Sequence, residues 1–255
     1  MDVDVNLVML HDRSTGVRLD EQVRQREALA ALGEMAAVMA HEIRNPLAGI
    51  RGAIQILGGR LPADSHDAPI LGEIVKRIDA LNGLVQDVLL FAWPPRPKPE
   101  LVEMEPLLRT TVALLEGDPV VKDMRVDVAA SAVLVRADPE LLKSVFLNLF
   151  VNAAHAMHGE GVIQVLIQCD RAVCRILVID GGPGIPAEIL EKVFIPFFTT
   201  KAHGTGLGLP TAKRLIDAHG GTISVGCPPA GGTVVTVQLP LATQPSAVPA
   251  MLEPA

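Results

Sequence analysis

Met39-Ala40-His41-Glu42-Ile43-Arg44-Asn45-Pro46-Leu47 places a histidine, a carboxylate and an amide within five positions, just before a proline. Around this stretch, apolar or small residues recur at steps of three and four, which predicts the buried seam of a helix in a bundle. These residues are Leu29, Leu32, Ala36, Met39, Ile43, Leu47, Ile50, Ile54 and Leu57. With Ala36 at heptad position a and Met39 at d, His41 is an f position that points away from the seam. Asn45, one turn further, shares that outward side.

A second helical seam follows the first and predicts a hairpin. The first helix is expected to end near Gly58-Gly59, and a loop over Pro62–Asp67 leads to the second. Its seam consists of Leu71, Ile74, Ile78, Leu81, Val85, Val88 and Ala92. A lone antiparallel hairpin buries too little apolar surface, so we expect two copies to pair as a dimeric four-helix bundle.

Composition limits the functional classes. The 255 residues allow one or two domains, and a net charge of -7 without a long basic run argues against nucleic-acid binding. No window holds eighteen uninterrupted apolar residues and no signal peptide is evident, so we expect a cytoplasmic chain without a membrane segment. The cysteines form no C-x-x-C pair, which fits a reducing compartment and gives no metal or disulfide signal; they are Cys169, Cys174 and Cys227.

The prolines of 94–99 mark a boundary, because they cannot continue a helix and favour a stiff linker. Beyond them, the polar Asp138-Pro139 pair predicts a helix start with Asp as N-cap. Helical and strand-like patterns do not alternate strictly, which indicates an α+β two-layer sandwich. The expected organisation is a strand-like extension at 1–17, a helical hairpin at 18–93, a linker at 94–99, a second domain at 100–241 and a disordered tail at 242–255. The extension at 1–17 could be the end of an upstream sensor domain.

Three polar or glycine-rich clusters in the second domain suggest nucleotide chemistry. Asn148 and Asn152 face one side of a helix, where amide oxygens suit Mg²⁺ and amide nitrogens can donate to phosphate. Asp180 ends an apolar strand before the glycines of 181–184, where a carboxylate can accept from an adenine amino group. The glycines of 204–208 open a helix whose N–H groups can hold phosphate.

Each cluster alone has a simpler explanation as a polar helix face, a glycine turn or a chance G-x-G-x-G. There is no G-x-x-x-x-G-K-[ST] sequence, so a Walker site is excluded. In this order and spacing, however, the clusters resemble the N, G1 and G2 boxes of the Bergerat-type ATP-binding domain of sensor histidine kinases. Phe194-Ile195-Pro196-Phe197-Phe198-Thr199-Thr200-Lys201 resembles the F box and lid of that family, and the stretch at His41 its H box. The H box and lid look most similar to the nitrogen-regulation type, although Gly181 stands where asparagine is common and the segment before Gly204 is short.

The resemblance implies a protein-histidine kinase that uses ATP and Mg²⁺. His41 would be the phosphoacceptor, Glu42 would orient or deprotonate it, and Asn45 would position a water that dephosphorylates a response regulator. Mg²⁺ would be held by Asn152, with Asn148 assisting. The implied nucleotide-binding residues are Asn148, Asn152, His155, Asp180, Gly182, Gly184, Ile185, Thr199, Thr200, Lys201, Gly204, Thr205, Gly206, Leu207, Gly208, Leu209 and Thr233. The implied partners are a second copy of the chain and the receiver domain of a response regulator.

Two alternatives remain open. In the first, the chain is an ATP-binding dimeric scaffold with an idle histidine, or a kinase of serine. Such a protein would bind ATP without forming acid-labile phosphate. Alternatively, it is a docking module for a regulator, in which the nucleotide site controls shape only. Such a module would bind its partner equally well without Asn152.

Overall fold

The structure, a computed structural model, describes residues 42–62, 65–115, 121, 123–129, 131–170, 172–201, 204–229 and 231–242. Two compact units divide between Trp93 and Pro94. The predicted N-terminal strand, His41 and most of the predicted tail lie outside the described residues.

The first unit is the predicted helical hairpin. Its first helix, α1, is described over 42–58, and its second, α2, spans Ala68–Ala92. An ion pair between Arg51 and Asp79, with a nitrogen–oxygen distance of 3.3 Å, joins the two helices. Within the described residues, neither helix is long and apolar enough to cross a membrane.

One feature of the hairpin is its uncovered apolar surface. Ile50 is 50% exposed and Leu81 is 48% exposed, although both were predicted to lie in buried seams. The other large hydrophobic side chains exposed on this unit include Ile43, Ile56, Leu57, Ile70, Ile74 and Leu84. An exposed apolar surface of this extent is typical of an interaction site.

The second unit contains four helices and seven strands among the described residues. The helices are α3 (Met104–Ala113), α4 (Pro139–Ala156), α5 (Ala187–Leu190) and α6 (Gly208–Ala218). The strands are β1 (Glu100–Glu103), β2 (Asp123–Val128), β3 (Leu134–Ala137), β4 (Glu160–Cys169), β5 (Val173–Asp180), β6 (Thr222–Gly226) and β7 (Thr233–Pro240). The sequence patterns did not predict β1 or the single turn α5.

The strands form a mixed sheet in the order β2-β4-β5-β7-β6, and β1 pairs separately with β3. Only β2 and β4 are parallel in the five-stranded sheet; the other neighbours are antiparallel. Helix α3 packs on β2, α4 packs on β4 and β5, and α6 packs on β6. Helix α4 also contacts α3 and α6. This arrangement confirms the predicted α+β two-layer sandwich.

The core between the layers determines where the polar residues lie. Every second residue of β5 is buried: Cys174, Ile176, Val178 and Asp180. Helix α4 covers this row with Leu142, Val145, Phe146, Leu149, Phe150 and Ala153. A carboxylate therefore occupies the last position of an otherwise apolar buried row.

The start of α4 is fixed by Asp138, as predicted. Its Oδ1 accepts hydrogen bonds from the backbone N–H groups of Glu140 at 3.1 Å and Leu141 at 3.2 Å, and its Oδ2 accepts from Lys98 N at 2.9 Å. Burial raises the pKa of the Asp138 carboxyl, but these donors outweigh it, so the pKa lies below its usual value.

His219, just after α6, holds the end of that helix to the start of α4. Its Nε2 accepts from Asp138 N at 3.0 Å, and Nδ1 lies 2.7 Å from Leu215 O. Because Nε2 is the acceptor, Nδ1 carries the proton and donates to the carbonyl.

Candidate functional site

The two predicted asparagines lie where α4 meets the beginning of α6. Both side chains are half-buried. A Cβ on Gly208, the first residue of α6, would lie 3.5 Å from Asn148 Oδ1 and 3.5 Å from Asn152 Nδ2. The structure thus places the two asparagines beside the glycines of 204–208.

Lys201 joins this contact from the lid segment. Its Nζ donates to Asn152 Oδ1 at 2.8 Å, across 49 positions in the sequence. Burial lowers the pKa of the Lys201 ammonium from its ordinary value. The amide oxygen that the sequence predicted as a Mg²⁺ ligand is therefore hydrogen-bonded to the ammonium group of Lys201.

Asp180 presents one free carboxylate oxygen. The residue is 8% exposed, and its Oδ1 accepts from the backbone N–H groups of Gly182 at 2.9 Å and Thr233 at 3.1 Å. Its Oδ2 has no hydrogen-bond partner among the described residues. This unpaired oxygen, on a residue that is largely buried, can accept a hydrogen bond from a ligand.

The glycines around Asp180 leave no space for side chains. A Cβ on Gly182 would lie 3.0 Å from Asp180 Oδ1 and 3.1 Å from the Cβ of Ala156. Gly232 has a φ of +82°, and a Cβ there would collide with the carbonyl oxygen of Asp180. The backbone on both sides of the carboxylate is therefore bare, which permits close approach of a flat ligand.

Three positioning residues of this loop were missed by the sequence patterns. Met157 Sδ accepts from Gly181 N at 3.2 Å, and Cys227 Sγ accepts from Ile185 N at 3.1 Å. Gly232 is the third, and the Gly231-Gly232 pair before β7 was the only available signal for it. The two sulfur contacts have no recognisable sequence signal.

The lid segment forms a loop that closes onto the start of α6. Phe197 has a φ of +64° and its N–H donates to Gly206 O at 3.1 Å. Thr199 Oγ1 accepts from Lys201 N at 3.1 Å, and Thr205 Oγ1 accepts from Leu207 N at 3.1 Å. Leu207 is 1% exposed and anchors the loop in the core.

The remaining predicted lid residues belong to the same loop and helix start. Gly204 N donates to Lys201 O at 3.2 Å, Thr200 is exposed, and Leu209 is half-buried in the first turn of α6. No described side chain caps the N-terminus of α6. Its first N–H groups are therefore available to an anion.

Three other predicted residues have exposed side chains. His155 is exposed one turn beyond Asn152. Glu42 and Asn45 are exposed on α1 in the other unit, and His41 lies outside the described residues.

Comparison with known proteins identifies both units. Residues 31–96, which include His41, match the His Kinase A (phospho-acceptor) domain. Residues 137–243 match the histidine kinase-, DNA gyrase B- and HSP90-like ATPase domain.

The sensor histidine kinase ZraS of Klebsiella oxytoca is 37% identical over 227 residues, which are 88% of this chain and 49% of ZraS. Full-length ShkA in complex with AMPPNP has a TM-score of 0.71 and 27% identity, covering 83% of this chain and 46% of ShkA. The catalytic domain of histidine kinase ThkA has a TM-score of 0.51 and 33% identity, covering 56% of this chain and 96% of that domain. ThkA in complex with the response regulator TrrA has a TM-score of 0.60 and 29% identity, covering 88% of this chain and 66% of ThkA.

A phosphoacceptor hairpin is thus followed by an ATPase domain with a free buried carboxylate and paired asparagines. The chain belongs to the sensor histidine kinases, as its sequence boxes predicted. It spans about half the length of its curated relative ZraS.

Proposed function

We propose that this chain is an ATP-dependent protein-histidine kinase that phosphorylates His41 and passes the phosphoryl group to an aspartate of a response regulator. The observation that carries the proposal is the free Oδ2 of Asp180, in the same unit as the Asn152–Lys201 contact. Family membership supplies the reaction class, and the free acceptor supports a purine ligand.

The residues fit a nucleotide. Oδ2 of Asp180 can accept from the amino group of adenine, while Oδ1 is held by Gly182 and Thr233. A Cβ at Gly182 would crowd Asp180 Oδ1 and Ala156, so glycine at this position preserves the placement of the carboxylate. The uncapped start of α6 offers N–H groups to phosphates. The ShkA structure with AMPPNP, an ATP analogue, supports the same ligand class.

The residues also fit Mg²⁺. Amide oxygens are hard ligands of the kind this ion accepts, and Asn152 Oδ1 already receives a cation in the form of the Lys201 ammonium. Asn148, which also contacts the start of α6, would assist. A Mg²⁺ ion held by Asn152 and Asn148 would supply positive charge that stabilises the phosphates during transfer.

In the proposed reaction a neutral ring nitrogen of His41 attacks the γ-phosphorus. The bond from that phosphorus to the β-phosphate oxygen breaks, and ADP leaves as a phosphoramidate forms. Glu42 orients the ring or accepts its other proton. The phosphoryl group then passes to a receiver aspartate, a step supported by the complex of ThkA with TrrA.

The proposed assembly is a homodimer through residues 18–93, followed by a linker at 94–99 and a catalytic domain at 100–241. Its support is the exposed apolar surface of α1 and α2, represented by Ile50 and Leu81. Because the reaction consumes ATP, we place it in the cytoplasm.

The test is incubation of the full chain with γ-labelled ATP and Mg²⁺. The expected label is acid-labile and base-stable, and it is absent from His41→Gln. ATP binding without such a label would favour the scaffold alternative, whereas an acid-stable label would indicate a hydroxyl acceptor.

Phosphatase activity is a further part of the proposal. Asn45 is exposed on α1, so it can position a water at a regulator's aspartyl phosphate. Asn45→Ala should retain autophosphorylation while slowing decay of the purified phospho-regulator. Equal decay with wild type and variant would remove Asn45 from this role.

A further inference from the structure

Two cysteines lie directly opposite each other on neighbouring strands, far from the nucleotide site. In the antiparallel pairing of β4 with β5, Cys169 is the register partner of Cys174. Directly opposed residues place their side chains on the same face of the sheet. The two thiols are therefore cross-strand neighbours despite their separation in sequence.

The hydrogen-bond pattern shows which kind of pair this is. Asp170 N donates to Val173 O at 3.0 Å, so the adjacent pair at the turn is the hydrogen-bonded one. Four residues before Cys169, the carbonyl of Val165 accepts from Ala129 N and so points away from β5. The Val165–Val178 pair is therefore a non-hydrogen-bonded pair. Pairs alternate along antiparallel strands, and Cys169–Cys174 is thus a non-hydrogen-bonded pair.

Such a pair meets the spacing of a disulfide. Cα atoms in non-hydrogen-bonded pairs lie about 4.5 Å apart, inside the range of about 4.4–6.8 Å that disulfides span. The thiols also interact: burial, followed by the charge and hydrogen bond of Cys169, raises the pKa of the Cys174 thiol to about 12.

The two thiols differ in access to solvent. Cys169 is exposed at the end of β4, whereas Cys174 is 0% exposed. An oxidant in solution therefore reaches Cys169 first, and the nearest reaction partner of the oxidised sulfur is Cys174. This arrangement of an accessible and a resolving cysteine is typical of reversible oxidation sites.

We propose that Cys169 and Cys174 form a redox-active dithiol that hydroperoxides convert to an intrachain disulfide. The Cys169 thiolate attacks a peroxide oxygen and the O–O bond breaks, which yields a sulfenic acid. The leaving alkoxide or hydroxide takes up the proton that the thiol had released and departs as an alcohol or water. The Cys174 sulfur then displaces that hydroxyl: an S–S bond forms, the S–O bond breaks, and water leaves with the thiol proton. The dithiol loses two electrons and the peroxide gains them.

The site lies at the opposite end of β5 from Asp180. Asp180 is six positions after Cys174 along the strand, a distance of about 20 Å. The disulfide would close the β4–β5 turn without touching the nucleotide-binding residues. The proposal is therefore independent of the proposed kinase function.

The test uses the reduced full chain, treated with hydrogen peroxide, then alkylated under denaturing conditions and mapped by mass spectrometry. We expect loss of two of the three thiols, a crosslinked pair of peptides containing Cys169 and Cys174, and full recovery with dithiothreitol. Cys227→Ser, the matched control, should behave identically. Cys169→Ser should form no intrachain disulfide.

A second variant reports the order of the steps. Cys174→Ala should leave a sulfenic acid on Cys169 that dimedone traps, whereas wild type should give no dimedone adduct there. A disulfide that includes Cys227, a disulfide between two chains, or irreversible oxidation of Cys169 beside an intact Cys174 thiol would each overturn the proposal. These outcomes are read from wild type, so they do not depend on whether Cys174→Ala folds.

Discussion

The ammonium nitrogen of Lys201 lies 2.8 Å from Oδ1 of Asn152, the amide oxygen on which the proposed Mg²⁺ site depends. An ammonium group and a divalent cation on one amide oxygen would lie so close together that their positive charges repel, which makes simultaneous binding unfavourable. On the proposed function, Lys201 has to leave Asn152 whenever Mg²⁺ enters with the nucleotide. Lys201 and the metal are therefore competitors for one ligand.

This competition predicts the behaviour of Lys201→Met. The ratio of ATP affinity with Mg²⁺ to affinity in EDTA should rise by about tenfold, since a charge-assisted hydrogen bond no longer has to break before Mg²⁺ enters. A contact of Lys201 with phosphate would contribute to both affinities, so its effect largely cancels in the ratio. Lys213→Met is the control, because its ammonium pairs with Asp217 on α6. Calorimetry giving the same ratio in both variants would contradict the competition.

Asp180→Asn should separate folding from nucleotide binding. An amide oxygen at this position can still accept from Gly182 and Thr233, so the free energy of unfolding should change by less than about 1 kcal/mol. The amide nitrogen would replace the free Oδ2 and present a donor to the adenine amino group.

The expected loss of ATP affinity in Asp180→Asn is at least about tenfold. Asp217→Asn, an exposed change on α6, should leave ATP affinity unaltered. Unchanged affinity in Asp180→Asn, measured by calorimetry on a folded sample, would show that the base binds elsewhere.

The capping role of Asp138 predicts a pH-dependent stability difference. Asp138→Ala should lower the free energy of unfolding by about 1–2 kcal/mol at pH 7. The folded-state pKa of Asp138 lies below its ordinary value, so its carboxylate stabilises the fold fully above about pH 4. That contribution is lost as the pH falls through the lower folded-state pKa.

Denaturant unfolding of wild type and Asp138→Ala at a series of pH values measures this difference. The gap between their midpoints should shrink below about pH 4. A gap that is constant with pH would assign the stabilisation to something other than the charged cap.

The uncovered surface of the hairpin predicts that Ile50→Glu weakens self-association. Ile50 is 50% exposed in the single chain, so a charge there leaves the protomer intact but has to be buried at the proposed dimer seam. Light scattering should show a shift toward monomer. Gln55→Glu, at an f position that points away from the seam, should remain dimeric, and a monomeric wild type would refute the interface.

Local signals in the sequence were sufficient for some elements. The helical spacing of α2 and the Asp138-Pro139 start of α4 each depend on residues within one or two turns, and both helices form where they were expected. The end of β5 at Asp180 was similarly marked by an apolar run followed by glycines.

Elements that depend on distant partners were not predictable in this way. Strand β1 has only four residues with one of them buried, and it is stabilised by pairing with β3. The Lys201–Asn152 bond and the register of Cys169 with Cys174 are products of tertiary structure. The spacing of residues along the chain predicts neither contact, which is why the sequence did not indicate that the two cysteines are neighbours.

The bond between His219 and Asp138 has a mechanical consequence. It joins the end of α6 to the start of α4, while Gly208 at the start of α6 lies beside Asn152 near the end of α4. The His219–Asp138 bond thus joins the two helices about 20 Å from the metal-ligand candidates, and the helices can pivot about it. An angular change of about 5° at the pivot would move Gly208 against Asn152 by roughly 2 Å, the length of a Mg²⁺–oxygen bond. The His219–Asp138 bond therefore acts together with the packing of α4 against α6 to fix the spacing between Gly208 and Asn152.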